Sequence, residues 1–481
     1  MTKKIIFLFA ILSFLTLHAE SVFANSSITT TVDTLTQTIL GEEQSYISEK
    51  NLPSTFIVIP FVVLLLMIAT GPLFYRHFWE DHYPKVAVFL GFITVSYYLV
   101  VLKDTHSLIH TLEEYISFIA LLTSLFVASG GVLIKIDRKS TPLANVILLT
   151  FGAIISNLIG TTGASMLLIR PFLRMNRDRI KPYHVVFFIF IVSNMGGGLT
   201  PIGDPPLFLG FLRGVDFFWV ADHVWHIWLI GVLIILAVFY FIDSRNVSKG
   251  ESKTEYTGKI ELRGAKNFIY LLIVIISVFL DPRVLNWVPS LHPLPFGIRE
   301  IIMFSVAFIS YKFAAKEALK GNEFDFGPIK EVAFLFIGIF ATMIPALQLI
   351  AHETKVHGAK LTADIFYWGT GLLSACLDNA PTYLNFLSAA MGKFGLNINV
   401  YEDVQHFQEQ DPIYLMAISV AAVFFGAMTY IGNGPNFMVK SIAERAGIEV
   451  PSFVGYLVKY AIPILIPIFT VIWFLFFYGR G

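Results

Sequence analysis

The chain has 481 residues, of which 56% are hydrophobic and only 14% charged, with a mean hydropathy of +0.70. That balance excludes an ordinary soluble enzyme and reads as a polytopic membrane protein. Lys plus Arg and Asp plus Glu number 34 each, so no excess of positive charge points to nucleic acid, and the single cysteine, Cys376, rules out an intrachain disulfide and reads as a small residue packed in an apolar segment.

At the start of the chain, Lys3 and Lys4 precede an apolar run from Ile5 to Leu17, with Val22 and Ala24 at a small-residue site. This is the pattern of a signal peptide or signal anchor over 1–24, and it leaves the polar segment 25–53 outside the cytoplasm. Apolar runs of about the ~20 residues that span a bilayer then follow near 54–75, 85–102, 115–134, 183–212, 224–242, 267–280, 297–315, 331–350, 412–440 and 452–477. Two more, 143–169 and 362–388, are interrupted at their middles. Counted as spans, they would put Arg170, Arg174, Arg177, Arg179 and Lys181 outside, against the positive-inside rule. Their limbs of about a dozen residues, at ~1.5 Å each, are too short to cross. Read as re-entrant hairpins, they leave 22 basic residues in cytoplasmic loops and nine outside, the latter including Arg213 and Arg299.

The expected fold is therefore an all-α membrane protein of about ten spanning helices and two re-entrant hairpins. A first half, 54–242, carries hairpin 143–169 on the cytoplasmic side. A cytoplasmic linker, 243–266, leads to a second half, 267–481, with hairpin 362–388 on the external side, and both termini are external. The segments 85–242 and 297–477 run through mirror-image series, so the halves are inverted repeats. In secondary transporters built this way the substrate site lies near the midplane, where discontinuous helices meet.

One sentence is written twice in the chain. "GGLTPIGDPP", 197–206, and "GAMTYIGNGP", 426–435, match at Gly197/Gly426, Thr200/Thr429, Ile202/Ile431, Gly203/Gly432, Asp204/Asn433 and Pro206/Pro435. Gly203, Pro205, Pro206, Gly432, Gly434 and Pro435, with Pro381 in the second hairpin, break helices at membrane depth. Non-helical backbone is tolerated there only where it is buried in protein or lines a wet cavity. Four segments should converge: 156–165, 193–206, 377–386 and 428–436. The two hairpin tips align at a spacing of 222, with Asn157 on Asn379.

The expected ion- or proton-binding residues are Asp204, Asp378, Asn157, Asn379, Asn194 and Asn433. Ser156, Thr161, Thr162, Thr200, Thr382 and Thr429 supply supporting oxygens. A midspan carboxylate costs ~2.5 to 3.5 kcal/mol on insertion scales, and no Lys or Arg sits at matching depth to neutralise Asp204 or Asp378. Their partners are a proton or a metal cation. Because burial favours the neutral acid and a bound cation the carboxylate, H⁺ and Na⁺ compete for such a group. Asp378 is also suited to cap the helix that follows it. Glu113, Glu114 and Glu331 fall near span ends as interfacial carboxylates. No paired metal-ligand histidines, no Gly-x-Ser-x-Gly and no nucleotide-binding loop are present, so the reading is a transporter with no cofactor and no structural metal, not an enzyme.

At "SNMGGGLTPIGDPP" and "LDNAPT" the chain resembles the ion transporter superfamily, which includes NhaD-type sodium/proton antiporters, arsenite permeases and dicarboxylate and citrate carriers. The resemblance covers roughly 54–477. It implies a homodimer in a bacterial inner membrane, with a scaffold part and a mobile transport part. The first hairpin tip, "SNLIGTT", is similar to the Ser-Asn-Thr tips of the dicarboxylate branch, whereas the second, with Asp378 and Asn379, is similar to the NhaD branch. The first reading is a sodium/proton antiporter, and the alternative is Na⁺- or H⁺-coupled transport of citrate or another small carboxylate.

Overall fold

The computed structural model describes residues 52–246, 258–282, 285, 287–291 and 294–480. The expected signal segment 1–24, the polar segment up to residue 51 and residues 247–257 of the linker lie outside the described residues.

The described chain is helical almost throughout. Helices α1 (Ile59–Phe74), α2 (Arg76–Tyr97, prolonged by a π-turn to Leu102) and α3 (Thr105–Gly130) come first. After them stand α4 (Pro142–Met175), α5 (Pro182–Ile191), α6 (Pro205–Arg213) and α7 (Trp219–Ser244). The second half holds α8 (Asn267–Val278), α9 (Ile298–Lys312), a short α10 (Lys316–Gly321) and α11 (Gly327–His357). It ends with α12 (Ala363–Cys376), α13 (Asn379–Lys393), α14 (Tyr401–Gln410), α15 (Pro412–Phe425), α16 (Gly434–Arg445) and α17 (Phe453–Phe476). Proline stands at the first turn of α4, α5, α6, α11, α15 and α16, where its missing N–H costs no helical hydrogen bond.

Among the described residues six helices are long and apolar enough to cross a membrane, α2, α3, α4, α7, α11 and α17. Among them α4 does not run straight. Gly160 takes φ +79°, ψ 155°, outside helical space and in the region glycine alone enters freely. The chain doubles back there, and the two ends of α4 meet. Ser140 N donates to Met175 O at 3.2 Å, Ser140 Oγ to Asn176 Oδ1 at 2.8 Å, and Asn145 and Asn176 exchange amide hydrogen bonds at 2.8 and 2.9 Å. The second interrupted run turns in the same way between α12 and α13. Its ends are tied by Lys393 Nζ, which donates to Leu361 O at 2.8 Å. Both runs enter and return.

Apart from the short polar helices α10 and α14, the remaining helices correspond to the ten apolar runs, with α5/α6 and α15/α16 as the broken ones. From His184 to Ile191 every residue of α5 is buried, as is all of α15 from Ala417 to Phe425. Helices apolar all round belong at the centre of a bundle, so the two breaks extend from its most enclosed helices.

Two local features depart from the sequence reading. The apolar run 115–134 is helical only to Gly130, and Leu133–Ile136 forms a strand (β1) paired antiparallel with Ile260–Arg263 (β2), Leu133 opposite Arg263. The helix stops where the Asn267 side chain packs over Gly131. A Cβ at residue 131 would lie 2.0 Å from Asn267 Nδ2. The polar segment 401–410, in turn, is a helix bent 97° from α15, with Glu402 and Asp403 in its first turn.

Cysteines introduced at 171–181 in a Cys376→Ser background are expected to react with an impermeant maleimide only from the cytoplasm, and those at 393–410 only from outside. Opposite labelling of either loop would overturn the sidedness inferred from the basic residues.

Candidate functional site

The duplicated motif forms two matching crossings of backbone. Gly197 and Gly203 press together so closely that a Cβ on residue 203 would lie 2.2 Å from Gly197 O. Gly426 and Gly432 repeat the contact, a Cβ on residue 432 falling 2.6 Å from Gly426 O. In both breaks the threonine ties the loop. Thr200 Oγ1 donates to Asn157 O at 2.6 Å and accepts from Gly203 N at 3.1 Å, while Thr429 Oγ1 donates to Ala375 O at 2.8 Å and accepts from Gly432 N at 3.1 Å. Each hairpin tip then joins its break by one backbone bond, Thr161 N to Gly203 O at 2.8 Å and Asn379 N to Gly432 O at 3.2 Å.

These bonds correct the alignment of the hairpins. Geometry places Asn157 on Ala375, Gly160 on Asp378 and Thr161 on Asn379, a spacing of 218 rather than 222. The Ser-Asn and Asp-Asn dipeptides that suggested the longer spacing lie one helical turn apart in the repeat.

Asp204 is the meeting point. It is 1% exposed, with extended φ/ψ at the N-cap of α6. Its carboxylate accepts three hydrogen bonds from three separate segments. Thr161 Oγ1 of the first hairpin lies 2.8 Å from Oδ1, Asn433 Nδ2 of the second break 2.9 Å from Oδ1, and Asn379 Nδ2 of the second hairpin 2.5 Å from Oδ2. All three donors are neutral. Among the described residues no Lys, Arg or His forms an ion pair with Asp204 or Asp378. A second group of amides stands behind the first. Asn433 Nδ2 also approaches Asn194 Oδ1 at 3.3 Å, Asn194 Nδ2 donates to Asn436 Oδ1 at 2.6 Å, and Asn436 Nδ2 holds Gly426 O and Thr429 O at 2.8 and 2.9 Å.

This cage accepts either protonation state. The Asn379 Oδ1 atom is buried with no hydrogen-bond partner. Facing a carboxylate, Asn379 offers its N–H₂. Facing a protonated Asp204, a flip of the same amide offers an oxygen to the new O–H. Asp378, two residues from the exposed Cys376, caps α13 by accepting from Ala380 N at 3.0 Å. The exposure of Cys376 overturns its reading as a packed residue. It ends α12, just before the turn into α13.

A cavity of about 780 Å³ leads to this point. Gly160, Thr161, Thr162, Gly203, Asp378 and Asn433 line it, together with Arg76, Arg170, Lys440 and Arg445.

A family model described as "Putative citrate transport" matches residues 49–477. The chain belongs to that family. Among curated proteins, uncharacterized transporters of Mycobacterium bovis and Mycobacterium tuberculosis are each 23% identical to it over 332 residues, which is 65% of this chain and 72% of theirs. The chain is thus a multi-pass membrane transporter.

Not every residue singled out in the sequence faces that point. Thr161, Asn379 and Asn433 meet at Asp204, and Thr162 lines the cavity with Asp378. The others brace backbone. Asn157 Nδ2 donates to Ala153 O and Gly196 O while its Oδ1 accepts from Leu199 N, Ser156 Oγ holds Gly152 O and Val192 O, and Thr382 Oγ1 holds Asp378 O. Asn436, which the sequence reading passed over, closes the second break. Its place three residues past Asn433, in the first turn of α16, was the available signal.

Two arginines counted as external charges are buried in ion pairs. Arg213 is 5% exposed and grips Glu114 through Nε to Oε1 at 2.5 Å and Nη2 to Oε2 at 2.7 Å, with Asn399 as a further partner. Arg299 pairs with Asp281 at 2.9 Å and Glu300 at 2.7 Å. Glu114 is therefore a buried partner rather than an interfacial carboxylate. Similarly, Asp243 at the end of α7 gathers Arg179, Tyr183, His184 and Asn145, fastening the first hairpin to that helix.

Proposed function

We propose that the protein is a secondary transporter in which Asp204 takes up a proton and Na⁺ alternately, and that sodium/proton exchange is its activity. The observation that carries this is the neutral cage. A buried carboxylate held only by Thr161, Asn379 and Asn433 has no cationic side chain to offset its desolvation, so a proton or a cation must do so. Asp378 and the half-helix ends at the two breaks supply further oxygens and partial charges next to it. Homodimerisation and an inner-membrane location follow the superfamily resemblance.

A second reading has specific support. About 780 Å³ falls within the ~300–1,000 Å³ of small-molecule pockets, and the family is described by citrate transport. In this reading a small carboxylate moves together with the cation held at Asp204, its anionic groups received where the first hairpin tip lines the cavity, at Gly160 to Gly163.

Purified protein in liposomes separates the two. Under the first reading an inward Na⁺ gradient alone drives protons outward. Proton movement that needs citrate or succinate, with no response to Na⁺, Li⁺ or K⁺ alone, would replace it with the second.

A further inference from the structure

The wall of the cavity carries one arginine whose hydrogen bonding is incomplete. Thr162, Met166 and Arg170 all line it, at intervals of four along the second limb of α4, which puts them on one helix face. The Arg170 side chain is only 12% exposed, its Nη2 lies 3.7 Å from Glu323 Oε2, and its Nη1 is buried with no hydrogen-bond partner. Other cations of the cavity are provided for. Arg76 pairs with Glu80 and Lys440 with Glu444, each at 2.6 Å within one helix, and Arg445 is exposed to solvent. One turn inward from Arg170, Met166 packs in an apolar cluster with Phe126, Val127 and Ala307, so the guanidinium stands at the edge of low-dielectric surroundings.

A buried charged N–H without an acceptor is costly, and a 3.7 Å contact to a mostly exposed carboxylate offsets little of that cost. The group that completes a guanidinium fork is a planar oxyanion presenting two oxygens. We propose that Arg170 is an anion station in the cavity, binding one carboxylate group of a small organic acid. Eight residues at ~1.5 Å each put it about 12 Å from Thr162, so it is a site apart from the Asp204 cage. The inference goes beyond the choice of cargo. The same contact serves a carboxylate travelling to the hairpin tips and one that only resides in the cavity. Glu323 competes for the same guanidinium, with Asp325 and Glu331 also on the cavity wall.

Calorimetric titration of the purified full chain with citrate, succinate and phosphate at fixed Na⁺ tests the station. At least one of the two organic acids is expected to bind. Arg170→Gln should weaken that binding at least tenfold, Arg170→Lys less, and Glu323→Gln should tighten it several-fold by removing the competitor. Na⁺ binding at Asp204 should be unchanged in all three, which reports an intact fold. The inference is overturned if neither organic acid binds the wild-type chain, if phosphate alone binds, if Arg170→Gln binds within twofold of wild type, or if Glu323→Gln does not tighten binding. Uptake of the radiolabelled acid then assigns its source. Movement into liposomes marks it as cargo and favours the second reading above, whereas binding without movement marks a resident ligand and leaves sodium/proton exchange in place.

Discussion

Asp204→Asn is expected to reduce Na⁺-driven proton movement to the level of empty liposomes while leaving a folded protein of wild-type elution volume. The substitution keeps one acceptor oxygen for Thr161 and Asn433, and its new N–H₂ faces Asn379, whose unpartnered Oδ1 is turned toward it by an amide flip. The hydrogen bonds are thereby conserved and only the titratable charge is lost. In the wild type, falling pH should weaken apparent Na⁺ affinity, since a protonated acid has lost both its charge and a ligand lone pair, and Na⁺ should in turn displace protons. The variant should show neither effect. Asp378→Asn separates two roles for the second acid. Because Asn keeps an acceptor for Ala380 N, loss of exchange in this variant would mean that Asp378 holds the cation, and retained exchange would leave it as a helix cap only. Wild-type pH changes in the Asp204→Asn liposomes would remove the proposed mechanism altogether.

Much of this arrangement was legible before any coordinates. A carboxylate inside an apolar run, flanked by prolines and glycines and echoed 229 residues later, has few explanations other than a paired break, and the basic residues after the first interrupted run argued that it turns back. Pairwise geometry was less legible. The tips were aligned on matching dipeptides, but the repeat is kept in backbone hydrogen bonds, where Thr161 and Asn379 play one part with different side chains. Nor does a sequence show which polar residue spends its atoms on the backbone. Asn157 and Asn379 look alike on paper, yet the first is consumed by Ala153, Gly196 and Leu199 while the second keeps an oxygen free. Buried ion pairs such as Glu114 with Arg213 join helices 99 positions apart, and local pattern carries no information on such partners. β1 and β2 escaped for the same reason, each being four residues whose only strand partner among the described residues is the other.

The glycine pairs yield the largest expected effect on folding. Gly203→Ala places a methyl 2.2 Å from Gly197 O and 2.9 Å from Gly197 C, and Gly432→Ala places one 2.6 Å from Gly426 O and 2.9 Å from Ser374 O. All four contacts are to backbone, which cannot swing aside as a side chain does, so one strand of each crossing must move. Overpacking a core costs ~1 to 3 kcal/mol where neighbours adjust, and here the displaced strand is the one that positions Asp204 or Asn433. Both variants should therefore lose apparent melting temperature and transport together. Gly434→Ala is the internal control, lying two residues from Gly432 in the same motif with no atom within 4 Å of its would-be methyl. It should transport and melt as the wild type does. The comparison is read by fluorescence-detected size-exclusion after stepped heating. If Gly203→Ala and Gly432→Ala match Gly434→Ala, the crossings are not what holds the breaks, and the cage around Asp204 must be supported mainly by its side-chain amides.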